Sequence, residues 1–68
     1  MNSNIVTLLS SHSKDNINKG ELSLLKLTIE ELVGFCTELG IDPGDVPTKS
    51  KCIQRISGHF NSIRIAEI

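Results

Sequence analysis

The chain has 68 residues, two Phe, no Trp or Tyr, and a formal net charge of −1. A chain of this length forms one domain at most and buries only about 60% of its unfolded surface, so a packed substrate pocket of the metabolic-enzyme kind is not expected. Without aromatic side chains to spare, it also lacks the stacking platform on which single-strand binders hold bases.

The charge is unevenly placed. Residues 1–45 carry Lys14, Lys19 and Lys26 against Asp15, Glu21, Glu30, Glu31, Glu38, Asp42 and Asp45, a net −4. Residues 46–68 carry Lys49, Lys51, Arg55 and Arg64 against Glu67, a net +3. Such asymmetry points to an electrostatic partner surface and says nothing about fold. Two cysteines and no signal-like apolar segment predict a reducing, cytoplasmic setting. The apolar runs are too short to predict a membrane span.

In chain order, the first apolar cluster is Ile5, Val6, Leu8 and Leu9. Ile5, Leu8 and Leu9 share one face of a short helix, with Asn2 or Ser3 as its cap. Ser10 to Gly20 is almost wholly polar and reads as a loop, which makes residues 1–20 an N-terminal helix plus loop and residues 21–68 the main helical unit. The stretch ELSLLK (21–26) suits a helical turn better than a strand but is too short to decide.

The next element is strongly marked. Thr28 precedes Glu31 by three residues, the spacing of a capping box, and Leu27 with Leu32 has the spacing of a hydrophobic staple. Glu30 and Glu31 place negative charge at the positive end of the helix dipole. Ile29, Leu32, Val33, Cys36 and Leu39 form one apolar face. Gly40 suits the left-handed position after the helix, with Ile41 packing back on Cys36. These features predict a helix from about Ile29 to Leu39.

Asp42, Pro43 and Gly44 signal a turn, and Pro47 can sit in the first turn of the next helix. That second principal helix is predicted over about 48–60, with Cys52, Ile53, Ile56 and Phe60 on its apolar face. Lys51, Arg55 and His59 repeat every four residues beside that face, while Lys49 lies near its apolar side at the entrance. The end, NSIRIAEI, reads either as a short third helix using Ile65 and Ile68 or as an extended tail. The predicted core is Leu27, Leu32, Val33, Cys36, Leu39, Ile41, Cys52, Ile53, Ile56 and Phe60, with Ile5, Leu8 and Leu9 docking onto it.

Chemistry is sparse. His12 and His59 lie in different segments, away from any nucleophile, and the capping box accounts for Glu31, so no catalytic constellation is expected. Cys36, Cys52 and His59 lack the paired-cysteine spacing that starts a zinc site. Both cysteines fall on apolar faces, where a thiol behaves as a small hydrophobe. No metal, cofactor or small-molecule substrate is therefore expected. The basic stripe is the remaining candidate. A helix N-terminus presents free N–H groups to a phosphate, and Thr48, Lys49, Lys51, Arg55 and His59 could contact a nucleic-acid backbone or a protein partner. The bland alternative is a solvated helix face, and the acidic balance of the chain weighs against tight sequence-independent binding.

The stretch LTIEELVGFCTELGI, a turn, and KSKCIQRI resembles the SAP domain and its HeH and LEM relatives, which are helix–extended loop–helix modules. Leu27 to Ile41 follows the first-helix pattern, and Lys49 to Ile56 the second, with Cys52 replacing a leucine. The resemblance implies an all-α fold and contact with duplex DNA through Thr48, Lys49, Lys51 and Arg55. Thr48-Lys49 stands where those domains carry Gly-Lys, and the loop DPGDVP bears Asp42 and Asp45; its composition is closer to the LEM loop, which binds protein. A second resemblance links EELVGFCTELGID and RIAEI to the death-fold-like effector-associated domains of bacterial conflict systems. That one implies an adaptor making like-with-like protein contacts, with an acidic first helix meeting a basic second helix. The leading expectation is a non-enzymatic SAP/HeH-like module on nucleic-acid backbone; the alternative is a protein-interaction module, self-associating or LEM-like.

Overall fold

The computed structural model describes residues 3–67, which form four helices and no strand. Helix α1 is Ser3–Leu9, α2 Lys14–Leu25, α3 Ile29–Glu38 and α4 Lys49–Ala66. The all-α expectation holds. Helices α3 and α4 are joined by a loop as expected, but α2, at 12 residues, is longer than the 10-residue α3, so the N-terminal part is more than a short accessory segment. Asn2 as a cap and Ile68 as an apolar anchor fall outside the described residues; Ser3 is the first residue of α1.

Helix α3 forms as its local signals require. Thr28 Oγ1 accepts the Glu31 N–H at 3.2 Å, and Glu31 Oε1 accepts the Thr28 N–H at 3.0 Å. Both bonds of the capping box are present, so two N–H groups that the helix itself leaves unpaired are satisfied. At the other end Gly40 takes φ +74°. The Ile41 N–H reaches the Cys36 carbonyl at 2.8 Å and the Gly40 N–H the Thr37 carbonyl at 3.1 Å, the two bonds of a Schellman stop.

Two expectations are corrected. Ser10–Gly20 is not a loop throughout: after a short connection, α2 starts at Lys14 and runs through the ambiguous ELSLLK to Leu25. Its buried positions are Gly20 and Leu24, with Ile17 half-buried. One member of that stripe is a glycine, so no run of apolar residues announces it. Gly20 is there for contact: a Cβ at that position would stand 2.9 Å from Leu9 Cγ and Cδ2 and 3.2 Å from Leu8 Cβ. Its absence lets α1 lie close on α2. The second correction is at the end of the chain. NSIRIAEI is neither a separate helix nor an extended tail, because α4 continues unbroken through Gly58 to Ala66.

The core gathers Ile5 and Leu9 from α1, Leu24 from α2, Leu32, Phe35 and Cys36 from α3, and Cys52, Ile56 and Phe60 from α4. Phe35 and Leu24, absent from the predicted core, are 2% and 0% exposed. Phe35 stands three residues after Leu32 and four before Leu39, on the flank of the apolar face opposite Val33. The face is thus centred on Leu32 and Cys36, and Val33 moves to its edge. Leu27, Val33, Leu39, Ile41 and Ile53 are half-buried around the cluster. The radius of gyration is 11.2 Å, against about 11 Å for a compact domain of this length, so the described helices pack as one unit. No described helix is long and apolar enough to cross a membrane.

Candidate interaction surface

The predicted site residues all lie on or at the start of α4, and the fold engages most of them internally. Thr48 is the N-cap, and its Oγ1 accepts the Lys51 N–H at 3.2 Å. Lys49, placed near the apolar side at the entrance, reaches across and donates from Nζ to the Leu25 carbonyl at 3.0 Å. That oxygen belongs to the last residue of α2, where the helix leaves its carbonyls unpaired and a cation complements the dipole. Arg55 donates from Nη1 to the Asp42 carbonyl at 2.6 Å. Its guanidinium lies against Gly44, whose φ is +89°. Asp42 in turn accepts the Gly44 N–H on Oδ1 at 2.9 Å. Arg55 therefore holds the turn of the α3–α4 loop in place.

His59 is half-buried, its ring edge-on to Phe60 with centroids 5.2 Å apart. Lys51 is exposed, and among the described residues its ammonium makes no hydrogen bond or ion pair. Arg64, outside the predicted stripe, donates from Nη1 to the carbonyl of Leu9, the last residue of α1. Three basic side chains of α4 thus each tie down a backbone carbonyl of another segment. Lys49 and Arg55 are exposed and keep further N–H groups, so a phosphate could still meet them. Their first role is structural.

Cys36 and Cys52 are fully buried free thiols in one core cluster, from helices that pack on each other. Burial pushes the Cys36 thiol above its ordinary range, the neighbouring Cys52 thiol adds to the rise, and Arg55 partly offsets it. A thiol held neutral in this way is a poor nucleophile and a poor metal ligand. Among the described residues no three His, Cys, Asp or Glu side chains are grouped to hold a metal ion.

A different part of the surface stands out. Ile29, Glu30 and Val33 of α3 and Pro47 of the following loop line an apolar groove open to solvent. Val46, next to Pro47, is 75% exposed, and Leu25 at the end of α2 is 56% exposed. The Lys49–Leu25 bond brings the end of α2 to the start of α4, two residues from Pro47. Reading charge alone passed over this groove. The available signal was Val46-Pro47, an apolar pair in a loop beside the α3 edge formed by Ile29 and Val33.

In comparisons with protein-family models, curated proteins and solved structures, nothing matches the chain.

Proposed function

We propose that the chain is a non-enzymatic protein-interaction module that acts by self-association, the adaptor reading of the sequence. The observation that carries it is the open apolar groove lined by Ile29, Val33 and Pro47, with Val46, next to Pro47 in the chain, exposed. Apolar surface left open to solvent marks protein contacts. The similarity of EELVGFCTELGID and RIAEI to death-fold-like effector-associated domains agrees with this reading, and so does a net charge of only −1, since low net charge favours association.

A nucleic-acid module of the SAP/HeH type is the second reading. The exposed Lys51 at the mouth of α4 and the residual donors of Lys49 and Arg55 favour it. Engagement of two of these three cations by carbonyls, and the exposed acid Asp45 three residues before Thr48, weigh against it. Sedimentation velocity at low and high salt, paired with a duplex-DNA titration, separates the two. Self-association is expected at both salt concentrations, because salt screens charges and does not weaken apolar burial. A salt-insensitive monomer that binds duplex DNA at low salt, and loses that binding in the Lys49, Lys51, Arg55 triple-Ala variant, would overturn the proposal in favour of the second reading.

A further inference from the structure

We infer that Cys36 and Cys52 form a redox-operated staple, in which oxidised glutathione converts the two core thiols into one internal disulfide that locks α3 to α4. The inference goes beyond the self-association reading and does not depend on it. Both thiols are free, and both residues are fully buried in the same core cluster. They come from α3 and α4, which pack on each other, and their side chains are hydrogen-bonded to one another. Two cysteines serving only as small hydrophobes need not meet, whereas these two sulfurs face each other across a helix pair. The segment between them is held at its turn, where Arg55 donates to the Asp42 carbonyl and Asp42 accepts the Gly44 N–H. Closing the bond brings the sulfurs from hydrogen-bond distance to about 2 Å.

The exchange runs in two steps. One cysteine, as thiolate, attacks a sulfur of oxidised glutathione; that S–S bond breaks, and the departing glutathione thiolate takes up the proton the cysteine lost. The second cysteine, as thiolate, then attacks the protein sulfur of the mixed disulfide. The Cys36–Cys52 bond forms, and a second glutathione leaves with the second proton. Two protein thiols are oxidised, and one oxidised glutathione becomes two reduced ones. Burial keeps the resting thiols out of reach, so the first step follows an opening of α4 from α3. A glutathione on either sulfur has no room in the closed core, whereas the internal bond adds no atom to it, so folding favours the second product. The closed ring of residues 36–52 also removes freedom from the unfolded chain, which stabilises a domain whose size leaves it marginal.

The test equilibrates the full chain with mixtures of reduced and oxidised glutathione at neutral pH, quenches with acid and reads the products by mass spectrometry. In buffer the folded chain is expected to lose two hydrogens, with peptide mapping joining Cys36 to Cys52 and dithiothreitol reversing the change. The ratio of internal to mixed disulfide should be about tenfold or more higher than in urea that unfolds the chain. The oxidised chain should unfold at a urea concentration about 1 M or more above that of the reduced chain. These measurements use the wild-type protein, so they do not depend on whether a cysteine variant folds.

Glutathione adducts in place of the internal disulfide, or disulfides between chains, would overturn the inference. An internal bond no more favoured in buffer than in urea would do the same, because the fold would then not hold the thiols in bonding geometry. So would a folded chain that stays reduced in mixtures that oxidise the unfolded one, or an oxidised chain with a lowered urea midpoint.

Discussion

Gly20 and Gly34 occupy helices of the same molecule and should respond oppositely to the same substitution. A methyl group at Gly20 collides with Leu9 and Leu8 of α1. Overpacking of this kind costs about 1–3 kcal/mol, more than the gain of about 1 kcal/mol from replacing a helical glycine by alanine. At Gly34 a Cβ meets nothing within 4 Å, so only the helix-propensity gain remains. Gly20→Ala is expected to lose about 1 kcal/mol net and Gly34→Ala to gain about 0.5–1 kcal/mol, read as opposite shifts of the urea midpoint. A second residue-scale effect sits at Glu31. The Thr28 backbone N–H, and then the Thr28 side chain, hold its carboxyl below the ordinary glutamate value, with a small opposing effect of desolvation. Because the folded value is the lower one, the contribution is present above the ordinary glutamate value and is lost as pH falls through the folded value. Glu31→Gln keeps a side chain that can close the capping box. Its stability should therefore fall less steeply on acidification, as shown by denaturation midpoints measured on either side of the ordinary glutamate value.

At the scale of elements, α4 organises the other three helices through its cations as well as its apolar face. Cys52, Ile56 and Phe60 bury against the core, while Lys49, Arg55 and Arg64 bind carbonyls at the end of α2, in the α3–α4 loop and at the end of α1. The Arg64 contact is partly buried and the Lys49 contact exposed. Arg64→Ala should thus destabilise by about 1 kcal/mol and Lys49→Ala by no more than about 0.5 kcal/mol, with Arg64→Lys intermediate. Equal losses at the two positions, measured by urea unfolding, would contradict this ranking. The basic half of the sequence had suggested a phosphate-facing stripe. Charge sums record how many cations an element has, and they are blind to a partner carbonyl more than twenty residues away in sequence, as at Lys49–Leu25. The α3 boundaries were legible because every group that sets them, Thr28, Glu31 and Gly40, lies inside or next to the helix. Helix α2 was not, because Ser13 as its N-cap makes no side-chain capping bond and its inner face includes Gly20.

For the whole molecule, α1 packs on α2, α3 on α4, and α2 on α4, so stability rests on one small shared core. The Cys36 thiol at its centre makes that core sensitive to alkali. Its raised value means that the unfolded chain ionises first, so its contribution is intact below the ordinary thiol value and declines as pH rises through the folded value. The same compactness limits what can be displayed: with the large side chains of the core enclosed, the apolar residues left outside are few. Among the described residues Leu22, Leu25, Val46, Ile63 and Ile65 stay exposed, and the self-association proposal rests on the open groove of Ile29, Val33 and Pro47.

The sequence alone determined the all-α class, the limits and caps of α3, the glycine stop after it and the apolar face of α4, because short-range hydrogen bonds and helical periodicity set each of these. Tertiary structure decided that Lys14–Leu25 is helical, that Phe35 rather than Val33 is the buried flank of the α3 face, and that α4 runs on to Ala66. It also showed that the cations of α4 hold carbonyls. The contacts that accompany these outcomes join different segments of the chain: Gly20 with Leu9, Lys49 with Leu25, Arg64 with Leu9. Packing and electrostatics act through space, and neither is written in the spacing of residues along one helix.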